Sequence, residues 1–233
     1  MIDDLGTVRI VTTHGLADSV VVCTVCAPAL LEAKTLGIRA AMRGLIDVCG
    51  ADALPEVCPV TFHLAGDTVC GPYQSGATGH FTRDSSGLGH VCLFDVEKEN
   101  RGLPFTVENA ATLQDQLLAV HEAMHAWFQG RQHNYRVQEP FCKLVSFIVS
   151  LAPGGPDYCP WFAGTPDDHP DALMKHLCRL ALTTQQLTPI LARTACSAAD
   201  KGEALSDTEF ADVVTEAIGQ DAGPAFRAAG ILP

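Results

Sequence analysis

The pattern of apolar and polar positions divides the chain into a first part with strands and a second part with helices only. Short runs rich in β-branched and apolar residues predict strands at Thr7–Thr12, Ser19–Val25, Cys58–Leu64, Gly79–Arg83 and Gly89–Asp95. The second of these runs also fits the start of the next element. Apolar residues from Pro28 to Val48 recur at helical spacing and predict a helix among the strands.

After residue 104 the apolar residues recur only at helical spacing. A long helix is predicted at Ala110–Gln129 and another at Glu139–Leu151, with a loop between them at Gly130–Gln138. After a segment rich in proline, further helices are expected at Asp171–Leu182, Leu187–Cys196 and Asp207–Ile218. The last of these begins with a capping box, in which Ser206 and Glu209 bind each other's backbone N–H groups.

This order of elements predicts an α+β fold. We expect a small mixed sheet with a helix in the first half, then the long helix, then a mostly helical second half. A length of 233 residues fits a single domain. We divide that domain into a sheet-bearing part at about residues 1–130 and a helical part at about residues 131–233.

Composition and charge exclude several classes of protein. Hydrophobic residues make up 47% of the chain and charged residues 18%, which excludes a wholly disordered protein. The net charge of -12 repels phosphate backbones, so we expect no nucleic-acid partner. No apolar run reaches the roughly 18 residues that a membrane-spanning helix needs, so we expect no membrane span.

The chain contains ten cysteines, an even number spread along most of its length. In a secreted protein this pattern indicates disulfide bonds, and a secreted protein is the interpretation we favour. No signal peptide is visible after Met1, since the first residues are acidic and lack an apolar run. A cytoplasmic protein with buried thiols is therefore the alternative.

The long predicted helix carries the motif His121-Glu122-Ala123-Met124-His125. Histidines four residues apart lie on one helix face, where both imidazoles reach one tetrahedral ion. Glu122 is adjacent to that face and close enough to contact a water on the ion. The helix is apolar almost all round, so it is expected to be buried and its histidines need partners. The alternative is a buried helix whose histidines are satisfied by hydrogen bonds.

A catalytic zinc ion needs a third protein ligand. Arg131 stands where a third histidine of the extended motif would be, so we expect a carboxylate instead. Glu139 is the first glutamate after His125, and the predicted loop is long enough to reverse the chain. We therefore predict one zinc ion bound by His121, His125 and Glu139. The alternative for Glu139 is a charge that stabilises its own helix N-terminus.

Two segments carry a resemblance to a known family: His121–Phe128 (HEAMHAWF) and Gln138–Lys143 (QEPFCK). They resemble the peptidase domain of the plant LIM-domain, ubiquitin-dependent peptidases that limit organ growth. That family reads HExMHAW, a short loop with a Gly-Tyr pair, and then Glu-Glu-Gly-Ile-Cys-Gln. Its second glutamate matches Glu139, and its cysteine matches Cys142.

More broadly, the chain is similar to the gluzincin class of zinc metallopeptidases, in which a glutamate is the third ligand. The resemblance implies a zincin-like fold and a zinc metalloendopeptidase acting on a peptide or protein. The chain has neither LIM zinc modules nor ubiquitin-interacting motifs, so the family's regulation does not carry over. Lys143 stands where the common gluzincin pattern has an aspartate, which leaves the partner of His121 unknown.

The mechanism implied is hydrolysis of a peptide bond, with zinc as Lewis acid and Glu122 as general base. The oxyanion needs a further donor, for which His176 and Tyr158 are the catalytic candidates, with His169 as another possibility downstream. A structural role is the alternative for each of them. Tyr135 is expected to pack in the loop.

Two predicted strands precede the motif helix and carry His80 and His90, which we expect to be structural. In zincins generally, a strand in this position forms the sheet edge and binds substrate by strand addition. The sequence does not show which of the two strands is the edge.

Two other functions compete with a peptidase. A protein of the same fold without catalytic activity would act by binding, but it would not need to keep Glu122. A thiol-disulfide protein would use Cys23 and Cys26, which form an isolated CxxC before a helix. Otherwise these two cysteines would pair with distant ones.

Overall fold

A computed structural model describes residues 8–10, 19–23, 28–49, 60–64, 79–83, 85, 89–93, 110–150, 162–180, 182 and 184–233. The strands are β1 (Val8–Ile10), β2 (Ser19–Cys23), β3 (Val60–Leu64), β4 (Gly79–Arg83) and β5 (Gly89–Leu93). The helices are α1 (Pro28–Cys49), α2 (Ala110–Phe128), α3 (Tyr135–Ser150), α4 (Ala172–Leu177), α5 (Thr184–Lys201), α6 (Asp207–Ile218) and α7 (Gly223–Ala228). The expected α+β class is confirmed.

The strands form one mixed sheet in the order β1-β2-β3-β5-β4. Strands β2, β3 and β5 run parallel, while β1 and β4 pair antiparallel with β2 and β5. Helix α1 lies in the connection between the parallel strands β2 and β3, as a parallel pair requires a long crossover. Strand β4 is an edge of the described sheet, which answers the question that the sequence left open.

Helix α2 is central to the described core. It packs against α1 and α3, and also against strands β4 and β5. From Ala119 to its end, the apolar residues of this helix are buried, as its almost continuous apolar sequence predicts: Ala119, Val120, Ala123, Met124, Ala126, Trp127 and Phe128. Phe141 of α3 and Phe210 of α6 continue this core, with ring centroids 5.0 Å apart in an edge-to-face contact.

Helix α3 begins at Tyr135, four residues before the predicted start at Glu139, so that prediction was wrong. The cause is Asn134, whose side-chain oxygen accepts a hydrogen bond from the Arg136 N–H at 2.9 Å. Its carbonyl accepts from the N–H groups of Val137 and Gln138. Asparagine is a favoured N-cap residue, and Pro140, which suggested a first turn, lies inside the helix instead.

The helices of the C-terminal part follow the sequence prediction to different degrees. Helix α6 has the predicted bounds, with the Ser206–Glu209 capping box at its start and Gly219 in a left-handed conformation after its end. The helix predicted at Asp171–Leu182 is shorter and continues as a 3₁₀ turn at Cys178–Leu180. Helix α5 is longer than predicted, and α7 was not predicted.

Within the described residues, none of the helices combines the length and the apolar character that crossing a bilayer requires.

Candidate metal centre

The two histidines of the motif lie one turn apart on the buried helix α2. Their Nε2 atoms are 3.1 Å apart, and the ring planes are nearly perpendicular at 81°. The side chains are 11% and 16% exposed, for His121 and His125 respectively. Both rings therefore present a nitrogen lone pair or N–H to the same small volume.

Glu139 reaches the two histidines from helix α3. Its Oε2 atom lies 3.3 Å from His121 Nε2 and 3.2 Å from His125 Nε2. The early start of α3 places Glu139 in the second turn of the helix. Its charge is therefore not in the first turn, where it would stabilise the helix N-terminus. The close packing of α2 against α3 brings the carboxylate to the histidine face.

The three atoms form a nearly equilateral triangle with sides of 3.1 to 3.3 Å. A tetrahedral ion with bonds of about 2.0–2.1 Å separates its ligand atoms by about 3.3 Å. The spacing and the N/N/O donor set therefore fit a metal ion such as zinc. Among the described residues, this is the one group of three histidine, cysteine or acidic side chains that could hold a metal.

The charges of the group depend on one another. Burial opposes ionisation of Glu139, yet hydrogen bonds from both histidines hold the pKa of its carboxyl far below the usual range. Burial would likewise lower the pKa of His121, but the Glu139 carboxylate outweighs it and the pKa is raised. A negative carboxylate beside two imidazoles favours a cation in the space between them.

Glu122 lies beside this group and is only 5% exposed. Its burial raises the pKa of its carboxyl above the ordinary value, and the negative charge of Glu139 adds to the effect. The two histidines lower the pKa of Glu122, but by less than burial raises it. A carboxylate whose pKa is raised is a stronger base, which suits proton transfer.

Lys143 is the cation nearest to Glu139 on helix α3. Its Nζ atom lies 3.1 Å from Glu139 Oε1 and donates to both oxygens of Asp171, at 2.6 and 2.7 Å. Burial would lower the pKa of Lys143, but the two carboxylates outweigh it and raise the pKa. The residue that departs from the gluzincin pattern is thus in contact with the proposed ligand.

Tyr135 lies at the ligand group, although its sequence position suggested simple packing in a loop. It is the first residue of α3, one turn before Glu139, and its ring is parallel to that of His125 with centroids 6.2 Å apart. Burial and the Glu139 carboxylate raise the pKa of its hydroxyl, which therefore remains protonated. Asn134, whose capping role starts the helix there, was the sequence signal that could have placed Tyr135 on this face.

Of the other catalytic candidates, His169 and His176 do not belong to the group of His121, His125 and Glu139. The Nε2 of His176 is buried and lies 3.4 Å from Asp167 Oδ1. His169 is half exposed, and its Nδ1 accepts from the Asp171 N–H. Tyr158 lies outside the described residues. The catalytic roles of Tyr158 and His176 stay predictions.

The remaining histidines and cysteines named from the sequence are placed as follows. His90 is buried on β5, opposite Thr82 of β4, and does not belong to the candidate metal-binding group. His80 pairs with Cys92 in the backbone register of β4, and its side chain is outside the described part. Cys23 is the last residue of β2, and Cys26 lies outside the described residues.

Comparison with known proteins adds no family assignment, because no family model matches the chain and no curated protein matches it significantly.

Proposed function

We propose that the protein is a zinc-dependent peptidase with a zincin-like fold of gluzincin type. The observation that carries this proposal is the triangle of His121, His125 and Glu139, whose sides of 3.1 to 3.3 Å match those of a tetrahedral zinc site. Three protein ligands leave one position for water, which is typical of catalytic zinc rather than structural zinc. Bound zinc would supply a Lewis acid that activates water and polarises the scissile carbonyl.

In this proposal Glu122 is the general base. It follows a ligand directly in sequence, so its side chain points about 100° around the helix from His121. From there it takes a proton from the attacking water and passes it to the leaving amine. Its buried position and its raised pKa support this role, since both strengthen the carboxylate as a base.

Strand β4 is the proposed binding surface for the substrate backbone. It is an edge of the described sheet, and helix α2 packs against it. An extended peptide that adds to this edge would pass close to the helix that carries the motif. The expected substrate is therefore a peptide or protein segment in extended conformation.

Tyr135 is the proposed donor to the oxyanion. Its protonated hydroxyl and its position beside His125 and Glu139 support this role. The residue is 57% exposed, so a substrate has access to it. His176 contacts Asp167 instead, and Tyr158 remains a candidate from the sequence.

The deciding experiment measures zinc content and peptide hydrolysis together. Glu122→Gln keeps the shape of the side chain and removes the base. We expect this variant to bind zinc nearly as well as the parent and to lose on the order of 10²–10⁴ in turnover. Glu139→Gln should weaken zinc binding first and lose activity as a consequence.

Glu216→Gln is the matched control, because Glu216 is an exposed glutamate paired with Arg193 on another helix surface. It should change neither zinc content nor turnover. Full activity of Glu122→Gln would refute the mechanism. A parent that binds zinc but hydrolyses no peptide would instead support a binding protein of the same fold.

A further inference from the structure

Lys143 and Asp171 form an ion pair directly behind Glu139. Lys143 Nζ donates to Asp171 Oδ1 at 2.6 Å and Oδ2 at 2.7 Å, and lies 3.1 Å from Glu139 Oε1. The other oxygen, Glu139 Oε2, faces His121 and His125. The two oxygens of one carboxylate therefore have different partners.

The pair differs from an ordinary surface ion pair. Asp171 is 12% exposed and Lys143 29% exposed at the side chain, so solvent screens the pair only in part. Asp171 occupies the N-cap position of α4, where aspartate usually accepts a backbone hydrogen bond, yet its side chain makes none. Both of its oxygens bind Lys143 instead.

The backbone of Asp171 is itself held in place. Its N–H donates to His169 Nδ1 at 3.1 Å, and its carbonyl accepts from the Met174 N–H at 2.9 Å. Asp171, which binds Lys143 through its carboxylate, thus belongs to a backbone segment that is held in place by its own hydrogen bonds. This segment lies 28 positions after Lys143 in the chain. Lys143 in turn has both neighbouring carboxylates as partners and little freedom to rotate.

We propose that Lys143 and Asp171 are positioning residues that hold the Glu139 carboxylate so that Oε2 alone is presented to the metal. This inference rests on the zinc site of the proposed function. Lys143 binds Oε1, and Asp171 prevents Lys143 from leaving. A carboxylate held in this way binds through one oxygen and leaves the fourth position to water. Partners behind a metal ligand typically change metal affinity 10–100-fold when they are mutated.

The test combines Lys143→Met with Asp171→Asn. This double variant removes one positive and one negative charge, so the net charge near the metal stays the same. Any loss of affinity then does not come from a change in net charge, and the Co²⁺ spectrum shows whether the orientation of Glu139 has changed. Zinc affinity is measured by competition with a chromogenic chelator, and the Co²⁺-loaded protein gives an absorption spectrum sensitive to the ligand geometry.

The matched control combines Lys175→Met with Asp167→Asn. Lys175 Nζ lies 2.8 Å from Asp167 Oδ1, so the same chemistry is removed from a neighbouring pair. We expect the first double variant to bind zinc about 10–100-fold more weakly than the parent and to show a changed Co²⁺ spectrum. The control double variant should bind zinc within about twofold of the parent. Lys143→Arg alone, which keeps the charge and can bind Asp171 through two nitrogens, should retain most of the affinity.

Parent-like zinc binding by the first double variant, with circular dichroism of a folded chain, would overturn the proposal. If that variant does not fold, Asp171→Asn is compared with Asp167→Asn, and equal zinc affinities overturn it. The proposed peptidase can fail separately, since zinc-loaded parent without hydrolysis leaves the affinity result standing. A parent that binds no zinc overturns both.

Discussion

At the scale of single residues, a small number of contacts determine the chemistry of the site. His121, His125 and Glu139 present their ligand atoms to one point, and Glu122 is buried beside them. Tyr135 adds a phenol whose ring is parallel to that of His125. In the proposed mechanism, each of these side chains acts on a different part of one reaction: metal binding, proton transfer or charge stabilisation.

Tyr135→Phe tests the role of the phenol hydroxyl. The variant keeps the ring beside His125 and removes only the hydrogen-bond donor. We expect kcat to fall on the order of 10²-fold, as when one oxyanion donor is removed, while zinc content is unchanged. Steady-state kinetics with a peptide substrate and metal analysis check this. Unchanged kcat would assign the oxyanion to another donor, such as Tyr158.

At the scale of elements, local sequence signals explain where the helices of the second half begin and end. Asn134 starts α3, and the Ser206–Glu209 capping box starts α6. Glu209 Oε2 also lies 2.7 Å from Nζ of Lys201, the last residue of α5, so it links two helices that pack together. This contact gives the stability of the C-terminal part a specific dependence on pH.

Glu209→Gln tests that dependence. The hydrogen bond from Lys201, with those from Ser206, lowers the pKa of Glu209 from 4.5 to about 2. A carboxyl whose pKa is lower in the folded than in the unfolded protein stabilises the folded protein at a pH above its unfolded-state pKa. This stabilisation is lost as the pH falls through its folded-state pKa. We expect the parent to unfold at a higher temperature than the variant above pH 4.5. The difference should shrink between pH 4.5 and about 2.

Thermal unfolding followed by circular dichroism across this pH range checks the prediction. Lys201→Met is the matched control, because it removes the same ion pair from the other helix. It should reduce the pH dependence in the same direction. A difference in midpoint temperature between the parent and Glu209→Gln that grows as the pH falls would contradict the expected sign.

At the scale of the whole molecule, the candidate metal centre joins two helices of the core. Two candidate ligands come from α2 and one from α3, and α2 also packs against α1 and the sheet. A metal that binds only the folded arrangement stabilises it by mass action. The stability of the molecule should therefore depend on free zinc.

Removal of the metal tests this link. At zinc concentrations about 100 times the dissociation constant, binding contributes about 2.7 kcal/mol. For a chain of this size, that corresponds to a midpoint temperature roughly 5–10 °C higher with zinc than with a chelator. Differential scanning calorimetry checks the shift, and Glu139→Gln should reduce it. A midpoint that does not depend on zinc would contradict the site.

The redox state of the cysteines is also a property of the whole molecule. Cys142 is buried and Cys196 is exposed, and both carry free thiols in the structure. Burial, reinforced by the charges of Glu139 and Glu122, raises the pKa of Cys142 well above its ordinary value, so this thiol stays protonated and unreactive. Secretion and disulfide bonding among the other cysteines stay predictions from composition.

The sequence alone determined the features that depend on neighbours within a few turns. Two histidines four residues apart share a helix face in any α-helix, and an apolar helix must be buried. The capping box of α6 is equally local, since both partners lie within one turn. Glu139 was predicted as the third ligand because it is the first glutamate after His125 and the predicted loop is long enough to reverse the chain.

Only the tertiary structure decided the contacts between distant segments. Lys143 contacts Asp171 across 28 positions, and β4, not β5, lies at an edge of the described sheet. Tyr135 faces the ligand group because α3 begins at Asn134 and packs against α2. The physical reason is that periodicity and capping report interactions along one element, whereas these contacts depend on how separate elements pack, which no local pattern encodes.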